Sequence, residues 1–363
     1  GDPGAKWETT KMLNLGIDAT FLNNRLSFTF DYYIKKTSDL LVPANWSALA
    51  GNATKPNINI GDMENKGTDF SVAWRDKIGD IEYNIIANIS TYKNKVVKLG
   101  TSDIFQGDRI SDTSITTEGQ PIGMFYGYKV EGIYKSTDEV INYKDDTGNT
   151  ILPYGVPDSK SLNPESWVGR YKFKDVNGDG KIDANDRTYI GNPHPDFTGG
   201  VNLSLTYKGF DLGTYLYFSV GNDLYKNYMY FTHFGGIQSN YAKDRWENSW
   251  HPTENPNGKY PLWLTSTGES PESGTVSNSM FVQDGSFLRM QTLTLGYTIP
   301  KSITEKVSLS KVRIYGQVSN VFTITGYDGL DPEVRSSNDL RRGYDYGSYG
   351  IPRTFLFGVN IAF

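Results

Sequence analysis

Apolar and polar positions alternate strictly in the stretch Arg353 to Phe363, RTFLFGVNIAF. Side chains on a strand point to opposite faces in turn, so Phe355, Phe357, Val359, Ile361 and Phe363 share one face, and Thr354, Leu356, Gly358, Asn360 and Ala362 the other. The pattern recurs upstream. Leu26, Phe28, Phe30 and Tyr32 oppose Ser27, Thr29 and Asp31; Phe70, Val72 and Trp74 oppose Asp69, Ser71, Ala73 and Arg75. Ile81, Tyr83, Ile85, Ala87 and Ile89 oppose Glu82, Asn84, Asn88 and Ser90. Val201 to Tyr207, Leu216 to Val220, Leu293 to Tyr297 and Val312 to Ile314 continue it. With Met12 to Phe21, this predicts roughly nine strands of about ten or more residues, longer than the usual soluble strand and long enough to cross a bilayer obliquely. A soluble protein buries such a face, whereas a membrane barrel turns it to lipid.

The links between these strands separate the two cases. Asn23-Asn24, Lys77-Ile78-Gly79 and Lys208-Gly209 are tight turns, and 299–310 is a somewhat longer one. They alternate with long links across 37–63, 97–195, 222–280 and 325–350. Short turns at one end and long loops at the other are the asymmetry of outer-membrane barrels. The predicted fold is therefore all-β: a transmembrane antiparallel β-barrel with long extracellular loops. After an odd number of crossings the chain ends on the short-turn side, which places Phe363 in the periplasm. Single-chain bacterial barrels close with an even number of strands, so residues 1–363 are expected to be the C-terminal portion of a larger barrel.

Composition removes several alternatives. No run approaches eighteen uncharged apolar residues and the mean hydropathy is −0.49, which leaves no candidate transmembrane helix. Lys and Arg number 36 against 41 Asp and Glu, so there is no basic surplus to neutralise nucleic acid, and no nucleic-acid partner is expected. Zero cysteines exclude disulfides and thiolate metal sites. The three histidines follow no zinc-enzyme spacing, and no GxSxG or P-loop motif occurs, so an enzyme is not expected. The opening GDPGAKWETT has neither the basic nor the apolar region of a signal peptide.

The opening string GDPGAKWETTKMLNLGID followed by FLNNRLSFTFDYYIKKTSDLLV resembles the SusC/RagA-type TonB-dependent transporters of Bacteroidetes outer membranes. So, in order, do MENKGTDFSVAW, EGQPIGMFYGYKVEGIYKS, YKFKDVNGDGKIDANDRTYIGNPHPDFTGGVNLSLTYKGFDL, FLRMQTLTLGYTIPK, VRIYGQVSNVFTITGYDGLDPEV and IPRTFLFGVNIAF. The resemblance implies the last nine strands of a 22-stranded barrel, without its plug domain and N-terminal strands. It further implies active import of oligosaccharides or oligopeptides, energised through TonB, beneath a SusD-like lipoprotein lid. Expected partners are thus TonB, the lid, the remainder of the same barrel, the lipid bilayer and the substrate. A passive porin or surface-binding barrel, and a soluble carbohydrate-binding β protein, are the competing readings. An upstream plug favours the first, its absence the second, and detergent-free solubility the third.

Two groups of residues carry candidate chemistry. Asp175, Asn177, Asp179, Lys181 (through its carbonyl), Asp183 and Asp186 have the spacing of a calcium loop, with Gly180 at the sharp turn. This predicts structural Ca²⁺ in the 97–195 loop at 175–186, although Asp186 replaces the usual Glu and reaches the ion less readily. Among loop aromatics, Tyr230, His233, Phe234, Trp246, Trp250 and Trp263 are candidate substrate or lid contacts, with the basic pair Arg341 and Arg342. Phe355, Phe357 and Phe363 are assigned to barrel closure and assembly.

Overall fold

The computed structural model describes residues 6–43, 57–100, 102–145, 147–234, 240–263, 271–336 and 338–363. The first five residues, the segment 44–56 of the first long link, and 235–239 and 264–270 of the third lie outside the described residues. Nine long strands form one antiparallel sheet: β1 (Thr9–Phe21), β2 (Leu26–Pro43), β3 (Asn57–Ile78), β4 (Ile81–Lys98), β5 (Phe197–Tyr207), β6 (Phe210–Val220), β7 (Phe287–Thr298), β8 (Lys311–Thr325) and β9 (Thr354–Ala362). Their order in the sheet is their order in the chain, as an up-and-down barrel wall requires.

Register converts the alternation into one continuous apolar surface. Leu15 lies opposite Tyr32, Phe30 opposite Phe70, and Phe70 opposite Ile89. Ile85 then faces Leu203, Leu205 faces Leu212, Leu212 faces Leu295, and Ile314 faces Val359. A slip of one residue anywhere would put the apolar set of that strand on the wrong face. In β7 the apolar positions switch from Leu288 and Met290 to Leu293, Leu295 and Tyr297, and a bulge at Gln291 absorbs the extra residue. Leu13, Leu15, Ile17, Leu295, Ile314, Phe355, Phe357, Val359 and Ile361 all remain exposed. At about 25 cal/mol for each Å² of apolar surface, a face of this extent is stable only against an apolar medium.

The tight turns use left-handed backbone where the hairpins need it. Asn23 and Asn24 have φ of 54° and 67°, and Lys208-Gly209 has 45° and 87°, the positive pair that suits the twist of a two-residue hairpin. The first long link is shorter than the sequence suggests. The β2–β3 ladder continues to Pro43 opposite Asn57, so only 44–56 remains of the expected 37–63. Lys35, Lys36, Ser38 and Asp39 break the apolar alternation there, and Asp39 sits at φ 60° in a bulge, yet the backbone ladder resumes beyond it.

Candidate functional site

The other three long links share one core at the long-link end of the strands. Ile110 and Phe125 come from 97–195, Tyr225, Met229, Phe234 and Tyr260 from 222–280, and Tyr344 from 325–350; with Phe281 they make one buried cluster. Tyr225 stacks on Phe281 and on Tyr344 with ring centroids 5.4 and 5.3 Å apart. A second cluster joins Tyr128, Ile133, Ile151, Tyr171, Phe173 and Ile182 to Trp250 and Val276. Gly127 lets two links touch backbone to backbone, since a Cβ there would stand 2.4 Å from the Ser277 carbonyl oxygen. The three links are thus one folded body at the long-link end of the strands.

This body is tied to the sheet by charged side chains. Arg289 projects from β7 and is 2% exposed. Its guanidinium donates to Asp331 Oδ1 at 2.5 Å, Glu333 Oε2 at 2.7 Å and Thr323 Oγ1 at 2.9 Å, gripping the 325–350 link. Burial alone would raise the Asp331 carboxyl, but backbone N–H donors of Ile351 and Glu333, together with Arg289, hold it below its ordinary value. Farther down the same wall Arg313 Nε donates to Asp211 Oδ1 at 2.8 Å.

The expected contact residues divide. His233, Phe234 and Trp250 are buried within the body, whereas Trp246 is 83% exposed and Trp263 partly so. Tyr230 is half-buried beneath the guanidinium of Arg109, 5.8 Å from the ring centre. Burial pushes the His233 imidazole down to about 4, against the pull of Asp244, whose Oδ2 lies 3.7 Å from Nε2. Arg245, which sequence reading did not single out, is 2% exposed and donates to the His233 and Pro261 carbonyls at 2.8 and 3.1 Å. Its guanidinium lies over Tyr260 and Trp263.

The basic pair separates as well. Arg341 donates to the Gly107 carbonyl at 2.8 Å and so braces two links. Arg342 donates to Tyr92 Oη at 2.9 Å, the Tyr92 hydroxyl lies 3.1 Å from His194 Nδ1, and His194 Nε2 donates to the Ile122 carbonyl at 2.8 Å. Burial lowers the His194 pKa, which keeps the ring neutral in that chain.

At 175–186 the acidic loop closes on itself. Asp175 accepts the N–H groups of Gly178 and Gly180, Asn177 Oδ1 that of Asp179, and Asp179 Oδ1 that of Lys181. Gly180 has φ 81°, the turn expected of it. Asp186, fully buried, accepts from Val176 and Asp183 at 2.9 and 2.8 Å, and Asp183 pairs with Lys181 at 3.0 Å. All of the expected ligand side chains, Asp175, Asn177, Asp179, Asp183 and Asp186, are thus engaged by protein donors. Among the described residues, no group of three or more acidic or histidine side chains converges as a metal cluster.

Comparison with known proteins places this architecture. A family profile described as TonB dependent receptor-like, beta-barrel, matches residues 1–124. TonB-dependent receptor P3 of Formosa agariphila is 37% identical over 99% of this chain, which spans 34% of that relative. TonB-dependent receptor SusC of Bacteroides thetaiotaomicron is 28% identical over 99% of the chain and 32% of its own length. The structure of the RagAB peptide transporter superposes with a TM-score of 0.76 at 24% identity, over 100% of this chain and 36% of that one. The chain spans about a third of the length of the relatives it matches. These relatives are receptors and transporters rather than enzymes. The chain is similar over nearly its whole length to TonB-dependent receptors, SusC among them, and its nine-strand sheet has the fold of part of such a barrel.

Proposed function

We propose that this chain is the C-terminal wall of an outer-membrane active importer that takes up oligosaccharides or oligopeptides with a SusD-like lipoprotein lid and TonB. The observation that carries the reading is the pairing of a nine-strand sheet, apolar along one face, with a folded body at one end only. Such a sheet must be completed by further strands before it can sit in lipid, because an open edge there leaves backbone groups unpaired. The body at the long-link end would then face outward, where Trp246, Trp263 and Tyr349 are exposed for a lid or substrate. The full-length protein, purified from membranes in detergent, is expected to bring a lipoprotein with it. Uptake of its substrate should stop when the proton-motive force is collapsed. A barrel that purifies alone and passes solutes without energy would instead be a porin.

We also propose that 175–186 holds Ca²⁺ as a brace of the external body. Asp175, Asn177, Asp179 and the Lys181 carbonyl would ligate, with Asp183 and Asp186 exchanging their present partners for the ion. Titration calorimetry on the full-length protein tests this, and no heat at millimolar Ca²⁺ would remove the assignment.

A further inference from the structure

Strands β1 to β4 end their apolar bands in lysine. Moving toward the long-link end along the apolar face, Lys11 follows Leu13, Lys36 follows Ile34, Lys66 follows Thr68, and Lys93 and Lys95 follow Thr91. All five lysines are exposed. The register puts Lys11 directly opposite Lys36 and Lys66 directly opposite Lys93. Opposed side chains on one sheet face start only about 5 Å apart at Cβ, so like charges there cost stability. A single carboxylate stands in these two rows. Glu64 is opposite both Lys36 and Lys95, with Lys36 Nζ at 3.2 Å and Lys66 Nζ at 3.9 Å. One row farther out, Asp62 lies opposite Lys98 and the charge returns to balance.

Glu64 answers Lys36 and Lys66, so on a chain of net charge −5 Lys11, Lys93 and Lys95 remain a local excess with no carboxylate within 4 Å among the described residues. Its position names the occupant. The lysines continue the face that meets lipid, immediately beyond the apolar band, where the headgroups of one leaflet would lie. The cavity of about 470 Å³ beside Lys66 and Lys93 is lined as well by Tyr92, Asn94 and His194 from the other face and by the Asp196 carboxylate, so the lysine side chains themselves are what the lipid-side face offers an anion. Thr68 and Thr91 hydroxyls bond each other at 2.9 Å, which leaves the directly opposed ammonium groups of Lys66 and Lys93, at the depth of the headgroups, as the feature that suits a lipid phosphate.

We propose that this patch binds the phosphate of an anionic lipid headgroup in the outer leaflet, with Lys66 and Lys93 as its centre. The inference rests on the outer-membrane reading above. In the test, the full-length protein is placed in nanodiscs of phosphatidylcholine doped with phosphorylated or enzymatically dephosphorylated lipid A, and bound lipid is counted by native mass spectrometry. Wild type should retain the phosphorylated form selectively. At about 1 kcal/mol for each lysine near the surface, Lys66→Gln with Lys93→Gln should weaken retention about 30-fold. Lys66→Arg with Lys93→Arg should restore it, and unchanged heat-modifiable gel mobility shows that each variant is folded. Equal retention by the glutamine variant, or of the dephosphorylated lipid, would overturn the proposal. So would an acidic protein partner that shields these lysines from acetylation when lipid does not. A protein that enters no bilayer at all would refute the membrane reading itself, a separate outcome.

Discussion

Replacing Arg289 with Met keeps the length of the side chain and removes its charge. The guanidinium is buried and bonded to two carboxylates and a hydroxyl, so Asp331 and Glu333 are left facing each other without their shared cation. Breaking a buried pair costs about 3–5 kcal/mol, and because Glu333 is partly exposed we take the lower end, roughly 100-fold in the opening equilibrium of the link. The effect is local, since the β7–β8 ladder does not depend on the guanidinium. Hydrogen exchange on the full-length protein reads it directly: amides across 326–353 should lose about two orders of magnitude of protection while those of β5 and β6 are unchanged. Acid should mimic the substitution. Asp331 titrates below its ordinary value, so its contribution is complete above the ordinary carboxylate range and is lost as pH falls through the lowered value. Unchanged exchange in 326–353 would refute the view that Arg289 fastens the external body to the wall.

Three further outcomes follow from single sites. Phe363→Asp should lower the amount of assembled barrel in membranes far more than transport per assembled molecule, because Phe363 is 94% exposed at the end of the apolar face; normal membrane levels would contradict this. His233 is held neutral by burial with its pKa near 4, so the unfolded chain takes up the proton first and the external body should lose stability as pH falls from about 6.5 toward 4. His233→Gln should flatten that slope in thermal melts of the full-length protein, and an unaltered slope would exclude His233 as its source. Gly127→Val would force a side chain against the Ser277 carbonyl, and overpacking of this kind costs about 1–3 kcal/mol. Limited proteolysis should then cut 97–195 and 222–280 faster, and wild-type cleavage rates would show that the two links do not depend on this contact.

The strands were legible because both of their faces write the same period. Phe28, Phe70, Ile89 and Val201 alternate with Ser27, Ser71, Asn88 and Asn202, and the sheet uses every one of those strands in chain order. The bulges were less so: Gln291 reads as one more strand residue, and the switch of apolar parity around it is the signal that marks it. The external body has no period to read. Trp246 and Trp250 lie four residues apart in one segment, the first exposed and the second buried, and only the packing of Tyr171, Phe173 and Val276 from elsewhere in the chain decides which. Arg289 was visible as a charge on the polar face of β7, but its partners at 331 and 333 lie more than forty residues away, beyond any local pattern.

The central claim is that these nine strands form part of a barrel wall with one face in lipid, and labels along β5 test it most directly. The 363 residues contain no cysteine, so single cysteines can be placed at consecutive positions 201–206, labelled with a fluorophore and reconstituted in the full-length protein. A quencher confined to the acyl chains should then reach positions 201, 203 and 205 strongly and 202, 204 and 206 weakly. Uniform quenching, no quenching, or strong quenching at the even positions would contradict the account.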